Sequence, residues 1–188
     1  MSHSNWHSRA VESTIMSASS MVFNPFGLES PWYEVYKQEL DQIFVTKTRT
    51  NGDGHYSIST TPQYCLLPAV AGANPHHRGA LVPDFMVFWT TFTSHGYTAL
   101  RRKIPIVVVE GKPPPQNGTM ATAFSTCKRQ VFQQVHLAFA YPTAGGPRVI
   151  YAIACVGTCW KWFRFTNDPG LQLNASTTDD ITYIMNTR

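Results

Sequence analysis

Apolar residues recur along this chain with two different periods, which separate predicted helices from predicted strands. From Trp32 to Phe44 the apolar side chains fall on one arc at about 100° per residue, which predicts an amphipathic helix. Ser30 and Pro31 stand just before this arc and are typical of a helix start. The helical period from Met120 to Phe139 predicts a second helix.

Strands are predicted where apolar and β-branched residues come in short runs bounded by turn residues. Val82–Phe92 and Ile104–Glu110 are two such runs, and the second is apolar on consecutive residues, as in a central strand covered on both faces. Arg148–Val156 and Cys159–Phe165 flank Gly157-Thr158 and predict a hairpin. This order of elements predicts an α/β fold, a three-layer α/β/α sandwich.

The composition is that of a compact globular chain, because 43% of the 188 residues are hydrophobic and 14% are charged. We expect a single domain over residues 30–188, preceded by a flexible arm over residues 1–29. The net charge of +4 permits a polyanionic partner without requiring one. No run suits a membrane span or a secretory signal, so an intracellular protein, nuclear or cytoplasmic, is expected.

Two acids interrupt the most apolar part of the chain. Asp84 lies within one predicted strand and Glu110 ends the next, where an unpaired carboxylate would be costly. Lys112 follows Glu110 by two residues, so on an extended chain both side chains project from the same face. Two carboxylates beside one ammonium predict a site for a divalent cation, with an ion-pair cluster that holds no metal as the alternative interpretation.

The motif formed by Pro83-Asp84 and Glu110-Gly111-Lys112 resembles the signature of the PD-(D/E)XK nuclease superfamily, which has the restriction-endonuclease-like fold. The order of elements over most of the chain is similar to that of short fungal members. The resemblance implies a mixed central sheet and a Mg²⁺ or Mn²⁺ site, with Asp84, Glu110 and the Gly111 carbonyl as ligands. It also implies that Lys112 orients a water or stabilises the transition state. Gly111 departs from the family, which usually places an apolar residue there.

Three residues of the predicted helices are further candidates for this site. Glu39 falls inside the apolar arc of the first helix, whereas Glu34 falls on its far side. An acid on a buried face needs a partner, which is either a lysine or backbone amide or, as in many members of the superfamily, the metal site. Gln130 and Gln134 share one flank of the second helix and resemble the glutamines beside the site in relatives. As good helix formers they also suit the edge of a buried face.

These features together predict a Mg-dependent endonuclease that hydrolyses phosphodiester bonds. Its expected partner is nucleic acid, with DNA preferred over RNA, and no membrane partner is expected. The alternative is a nuclease-like domain that has lost catalysis and binds nucleic acid or protein, since folds are reused in this way. The sequence leaves the oligomeric state open, a homodimer included.

Overall fold

The computed structural model describes residues 3–44, 49–51, 54–66, 81–92, 100–140, 147–167 and 182–184, which form three helices and one seven-stranded sheet. The helices are α1 (His3–Ser19), α2 (Ser30–Ile43) and α3 (Met120–Phe139). The strands are β1 (Arg49–Asn51), β2 (Gly54–Pro62), β3 (Phe85–Phe92), β4 (Leu100–Lys112), β5 (Val149–Val156), β6 (Cys159–Thr166) and β7 (Thr182–Ile184). The predicted α/β class is confirmed.

The strands lie in the sheet in the same order as in the sequence, from β1 to β7. Every neighbouring pair is antiparallel except β4 and β5, which are parallel. A parallel pair needs a long crossover connection, which here contains the 20-residue helix α3. The hairpin predicted around Gly157-Thr158 is confirmed, with Val156 paired to Cys159.

Alternate residues of the central strands enter two separate hydrophobic clusters. In β3, Phe85 and Val87 pack with residues of α1 and α2, whereas Met86 and Phe88 pack with residues of α3. Successive residues of a strand point to opposite faces, so the two clusters lie on opposite faces of the central strands. We call these faces the α2 side and the α3 side.

The N-terminal region is helical over His3–Ser19, within the residues 1–29 that were expected to form a flexible arm. Val11 and Ala18 are buried in the same cluster as α2, and Ile15 packs against it. These three residues recur at helical spacing and make one apolar stripe. The stripe is difficult to recognise in the sequence because many serines surround it. Its three residues nevertheless pack α1 against the cluster that contains α2.

The helix α2 begins at Ser30 with Pro31 in its first turn, close to the predicted start, and its N-cap residue is Glu29. Its buried residues are Trp32, Val35, Tyr36 and Leu40. Among the described residues, no helix is both long and apolar enough to cross a membrane.

Candidate metal centre

Three carboxylates converge where the central strands meet the start of α2. Asp84 directly precedes β3, Glu110 lies near the end of β4, and Glu29 directly precedes α2. The antiparallel register pairs Phe85 with Val109, which places Asp84 and Glu110 side by side. One oxygen from each of the three acids lies within 4.8 Å of the others. The structure thus joins the two predicted strand acids to a third that the sequence analysis missed.

Asp84 is buried and is fixed by two hydrogen bonds. Its Oδ2 accepts from the Gly111 backbone N–H at 2.7 Å, and its Oδ1 accepts from the Tyr33 hydroxyl at 2.7 Å. Burial and then the charge of Glu110 raise the pKa of Asp84 to about 6, although both hydrogen bonds act in the opposite direction. The surroundings therefore disfavour the charged form of Asp84 even with its donors in place.

Lys112 lies between the two other acids. Its Nζ is 2.8 Å from Glu29 Oε1 and 2.9 Å from Glu110 Oε1. Burial by itself lowers the pKa of Lys112, but the hydrogen bonds to both glutamates and their negative charges together outweigh burial and raise it. The ammonium is therefore charged at neutral pH and uses two of its three N–H donors on carboxylates.

The charges of the cluster do not balance. Glu29, Asp84 and Glu110 carry three negative charges when ionised, and Lys112 supplies one positive charge, which leaves a sum of −2. Water screens this excess poorly, since Asp84 and Glu110 are both buried. The cluster therefore has the charge that one divalent cation would neutralise.

The helix α3 reaches the site through Gln134. Its Nε2 donates to Glu110 Oε2 at 2.7 Å, while its Oε1 is buried without a hydrogen-bond partner. Gln134 is only 4% exposed, so this unpaired oxygen carries a desolvation cost. Gln130 lies one turn earlier and also has a buried Oε1 without a partner. Of the two predicted glutamines, Gln134 is thus the one hydrogen-bonded to the acidic cluster.

These groups fit a hard divalent cation. All the candidate ligand atoms are oxygens, which Mg²⁺ and Mn²⁺ prefer. The unpaired Gln134 Oε1 adds a neutral acceptor beside Glu110, suited to a water that such an ion would carry. Glu29, Asp84 and Glu110 are the residues that would hold the ion.

Tyr36 explains why glycine occupies position 111. A Cβ at Gly111 would collide with the buried Tyr36 ring, whose Cδ2 would lie 2.6 Å away. The Tyr36 hydroxyl also donates to the Lys112 backbone carbonyl at 2.7 Å. Close packing, rather than flexibility, therefore requires the glycine. The Gly111 N–H binds Asp84, while a ligand role for its carbonyl stays a prediction.

Glu39 is not one of the three acids of the carboxylate cluster, and its assignment as a catalytic and metal-binding residue stays a prediction. It lies ten residues after Glu29, which is roughly 15 Å along a helix. Helical phase predicts the direction in which a side chain points but not which level of the helix meets the strand ends. Here the strand ends meet the start of α2. The signal for Glu29 was its position directly before Ser30 and Pro31.

Within the predicted set, Lys112 and Gln134 each form a direct hydrogen bond to Glu110. Asp84 completes the set through the backbone of Gly111 and the shared acidic cluster. No family model, no curated protein and no solved structure matches this chain. The functional argument is therefore carried by the geometry of the site.

Proposed function

We propose that this protein is a metal-dependent nuclease that hydrolyses phosphodiester bonds, with DNA as the preferred substrate. The fold we propose for it is the three-layer, restriction-endonuclease-like α/β/α sandwich. Support comes from the mixed sheet, in which Asp84 and Glu110 lie side by side at one end of the paired strands β3 and β4. Lys112 follows Glu110 by two residues. The excess charge of −2 in a cluster that contains two buried carboxylates, Asp84 and Glu110, is the observation that carries the proposal.

Glu29, Asp84 and Glu110 would hold Mg²⁺ or Mn²⁺ in this site. When bound, such an ion polarises a phosphoryl oxygen and lowers the pKa of a water molecule. The protein fixes the three carboxylates beforehand, because Asp84 accepts from Gly111, Glu110 from Gln134, and Glu29 from Lys112. Fixed ligands need little reorganisation when charge develops on the substrate.

Lys112 is placed to act on the substrate side of the same site. Two of its N–H groups are donated to Glu29 and Glu110, which leaves the third for a water or a phosphate oxygen. The side chain of Lys112 is 23% exposed, so a polar ligand can reach it. Its fixed positive charge would stabilise the negative charge of the transition state.

A binding module without cleavage is the second candidate function. The two ion pairs of Lys112 favour it, since an ammonium held by two carboxylates can serve structure alone. In that case the cluster would stabilise the fold, and a nucleic acid or a protein would bind elsewhere on the surface.

A cleavage assay with single- and double-stranded DNA and RNA, with and without Mg²⁺ or Mn²⁺, tests the proposal. Asp84→Asn should lower the metal-dependent rate by roughly 10²–10³-fold, as for other single electrostatic groups of active sites. The fold should persist, because the new amide can accept from the Gly111 N–H and donate to the Tyr33 hydroxyl.

Glu34→Gln is the matched control, because Glu34 is an exposed acid of α2 that bonds Gln38 rather than the cluster. It should cleave at the parent rate. If Asp84→Asn cleaves as fast as the parent at the same Mg²⁺ concentration, the metal assignment is wrong. If the parent cleaves none of these substrates with either ion, the binding module becomes the better description.

A further inference from the structure

Both oxygens of each buried acid in the carboxylate cluster accept a hydrogen bond. Asp84 Oδ1 accepts from the Tyr33 hydroxyl and Oδ2 from a backbone N–H, each at 2.7 Å. Glu110 Oε1 accepts from Lys112 at 2.9 Å, and Oε2 accepts from Gln134 at 2.7 Å. A carboxylate has about four lone-pair sites, so these bonds leave about two on each acid. The two acids therefore offer an ion few oxygen sites, each held in a fixed direction.

Tyr33 is the one side chain that donates to Asp84 among the described residues. It lies four residues after Glu29, one helical turn further along α2. Its ring packs edge-on against Phe85, with ring centres 6.0 Å apart and planes at 81°, which limits its movement. Burial, and then the hydrogen bond to Asp84 and the charges of all three acids, raise the pKa of Tyr33. The hydroxyl is therefore a neutral donor held against the acidic cluster.

Asp84 is the acid whose orientation depends most on a single side-chain hydroxyl. Glu29 has a side chain that is 31% exposed, so water can replace a bond that its carboxylate loses. Asp84 is only 7% exposed, so water replaces the Tyr33 hydroxyl poorly there. Glu110 is held on one oxygen by Lys112, the residue proposed to act on the substrate. The hydroxyl of Tyr33 can therefore be removed without changing the other described bonds of the cluster.

Divalent cations differ in the ligands that they need. Mg²⁺ requires nearly octahedral geometry at short distances and keeps several waters, so a few well-fixed protein oxygens are enough. Mn²⁺ also takes octahedral oxygen sites. Ca²⁺ takes six to eight oxygens in flexible geometry and can use both oxygens of one carboxylate. A carboxylate that is fixed therefore favours Mg²⁺ and Mn²⁺, whereas one that can turn favours Ca²⁺.

We propose that Tyr33 is a positioning residue that makes the metal centre selective for Mg²⁺ and Mn²⁺ over Ca²⁺. Its hydroxyl holds Asp84 Oδ1 in one direction, so that the carboxylate does not turn to offer Ca²⁺ a second oxygen. This inference rests on the proposed function for the binding of a divalent ion. It concerns the choice of ion, which can be measured without a substrate and without cleavage.

Calorimetric titration of the full chain with Mg²⁺, Mn²⁺ and Ca²⁺ chlorides compares the parent with Tyr33→Phe, which keeps the ring against Phe85. Mg²⁺ and Mn²⁺ affinity should fall roughly tenfold, as for other groups that orient a metal ligand. Ca²⁺ affinity should be retained, because Ca²⁺ tolerates a carboxylate that turns. The ratio of Mg²⁺ to Ca²⁺ affinity should thus fall roughly tenfold. The ratio is decisive, because a general loss of negative charge or of stability lowers both affinities alike.

Tyr36→Phe is the matched control, because it removes another tyrosine hydroxyl from the same helix. The Tyr36 hydroxyl donates to the Lys112 carbonyl, which also accepts from the Gly157 N–H at 2.9 Å. The variant therefore leaves that carbonyl paired and keeps the hydrogen bonds of the carboxylates, so it should retain the parent ratio. Thermal unfolding without metal shows that each variant is folded at the temperature of the titration.

An unchanged ratio in Tyr33→Phe, whether all affinities persist or all fall alike, would overturn the inference while leaving the metal centre standing. The same change of ratio in Tyr36→Phe would overturn it too, since the effect would not come from the bond to Asp84. The expected ratios in a parent that cleaves no nucleic acid would instead remove the nuclease and keep the role of Tyr33. If the parent binds none of the three ions, the metal centre and the inference are both wrong.

Discussion

The α2 side and the α3 side of the sheet contact the end of β4, which contains Glu110, Gly111 and Lys112, in different ways. On the α2 side, the rigid Tyr36 ring packs directly on Gly111, and its hydroxyl binds the Lys112 backbone. On the α3 side, Gln134 binds the side chain of Glu110 and keeps one amide oxygen unpaired. The first contact fixes the path of the backbone, whereas the second positions one carboxylate.

This difference separates stability from chemistry within one site. A backbone packed against a buried ring can change only if the core changes, so variants on the α2 side should mainly alter the free energy of unfolding. The Gln134 amide is one of two groups that hold the Glu110 carboxylate, beside the Lys112 ammonium, so this contact can be removed without disturbing the core. Variants on the α3 side should therefore mainly alter metal binding.

The largest expected effect tests the packing on the α2 side. Gly111→Ala places a methyl group against the Tyr36 ring, which is fully buried. We expect the free energy of unfolding to fall by about 3 kcal/mol, the upper part of the usual range for overpacking. Urea denaturation measures it. In a cycle with Tyr36→Leu, the double variant should lose at least about 1 kcal/mol less than the sum of the singles. Strict additivity would show that the ring does not cause the loss.

The second prediction tests the α3 side. Gln134→Met keeps the length of the side chain but cannot donate to Glu110, so Mg²⁺ or Mn²⁺ affinity should fall roughly 10–100-fold, as for other groups that orient metal ligands. Thermal stability without metal should change little, because the variant loses one hydrogen bond and also removes an unpaired buried oxygen. Calorimetric titration measures the affinity, with the exposed Gln133→Met as control. A large loss of stability with unchanged metal affinity would contradict the comparison.

The smallest expected effect distinguishes the acid found by the structure from the acid predicted by helical phase. A divalent cation should raise the melting temperature by mass action, and Glu29→Gln should reduce that rise. Its side chain is 31% exposed, so solvent screening should limit the loss of metal affinity to roughly threefold to tenfold. Glu39→Gln should leave the rise as in the parent. If Glu39→Gln has the larger effect, Glu29 does not belong to the site.

Local patterns in the sequence were sufficient for the main elements near the site. The span of α3 was predicted as Met120 to Phe139 and is confirmed, because a long amphipathic stripe needs no tertiary information to be recognised. The β5–β6 hairpin is confirmed for a similar reason, since its turn residues stand between two apolar runs. The helix α1 was missed because its stripe is short and its surroundings are polar.

Within the candidate site, the sequence determined the partners that strand geometry alone brings together. Glu110 and Lys112 are in contact because residues two apart on a strand share a face, and Asp84 joins them through the pairing of β3 with β4. Only the tertiary structure decided that Glu29 rather than Glu39 joins them and that glycine is needed at position 111. Both outcomes depend on where α2 docks along the strand ends. Periodicity predicts which face of a helix is buried. The position of α2 along its own axis, relative to the strand ends, is set by the packing of Tyr36 and its neighbours against the sheet.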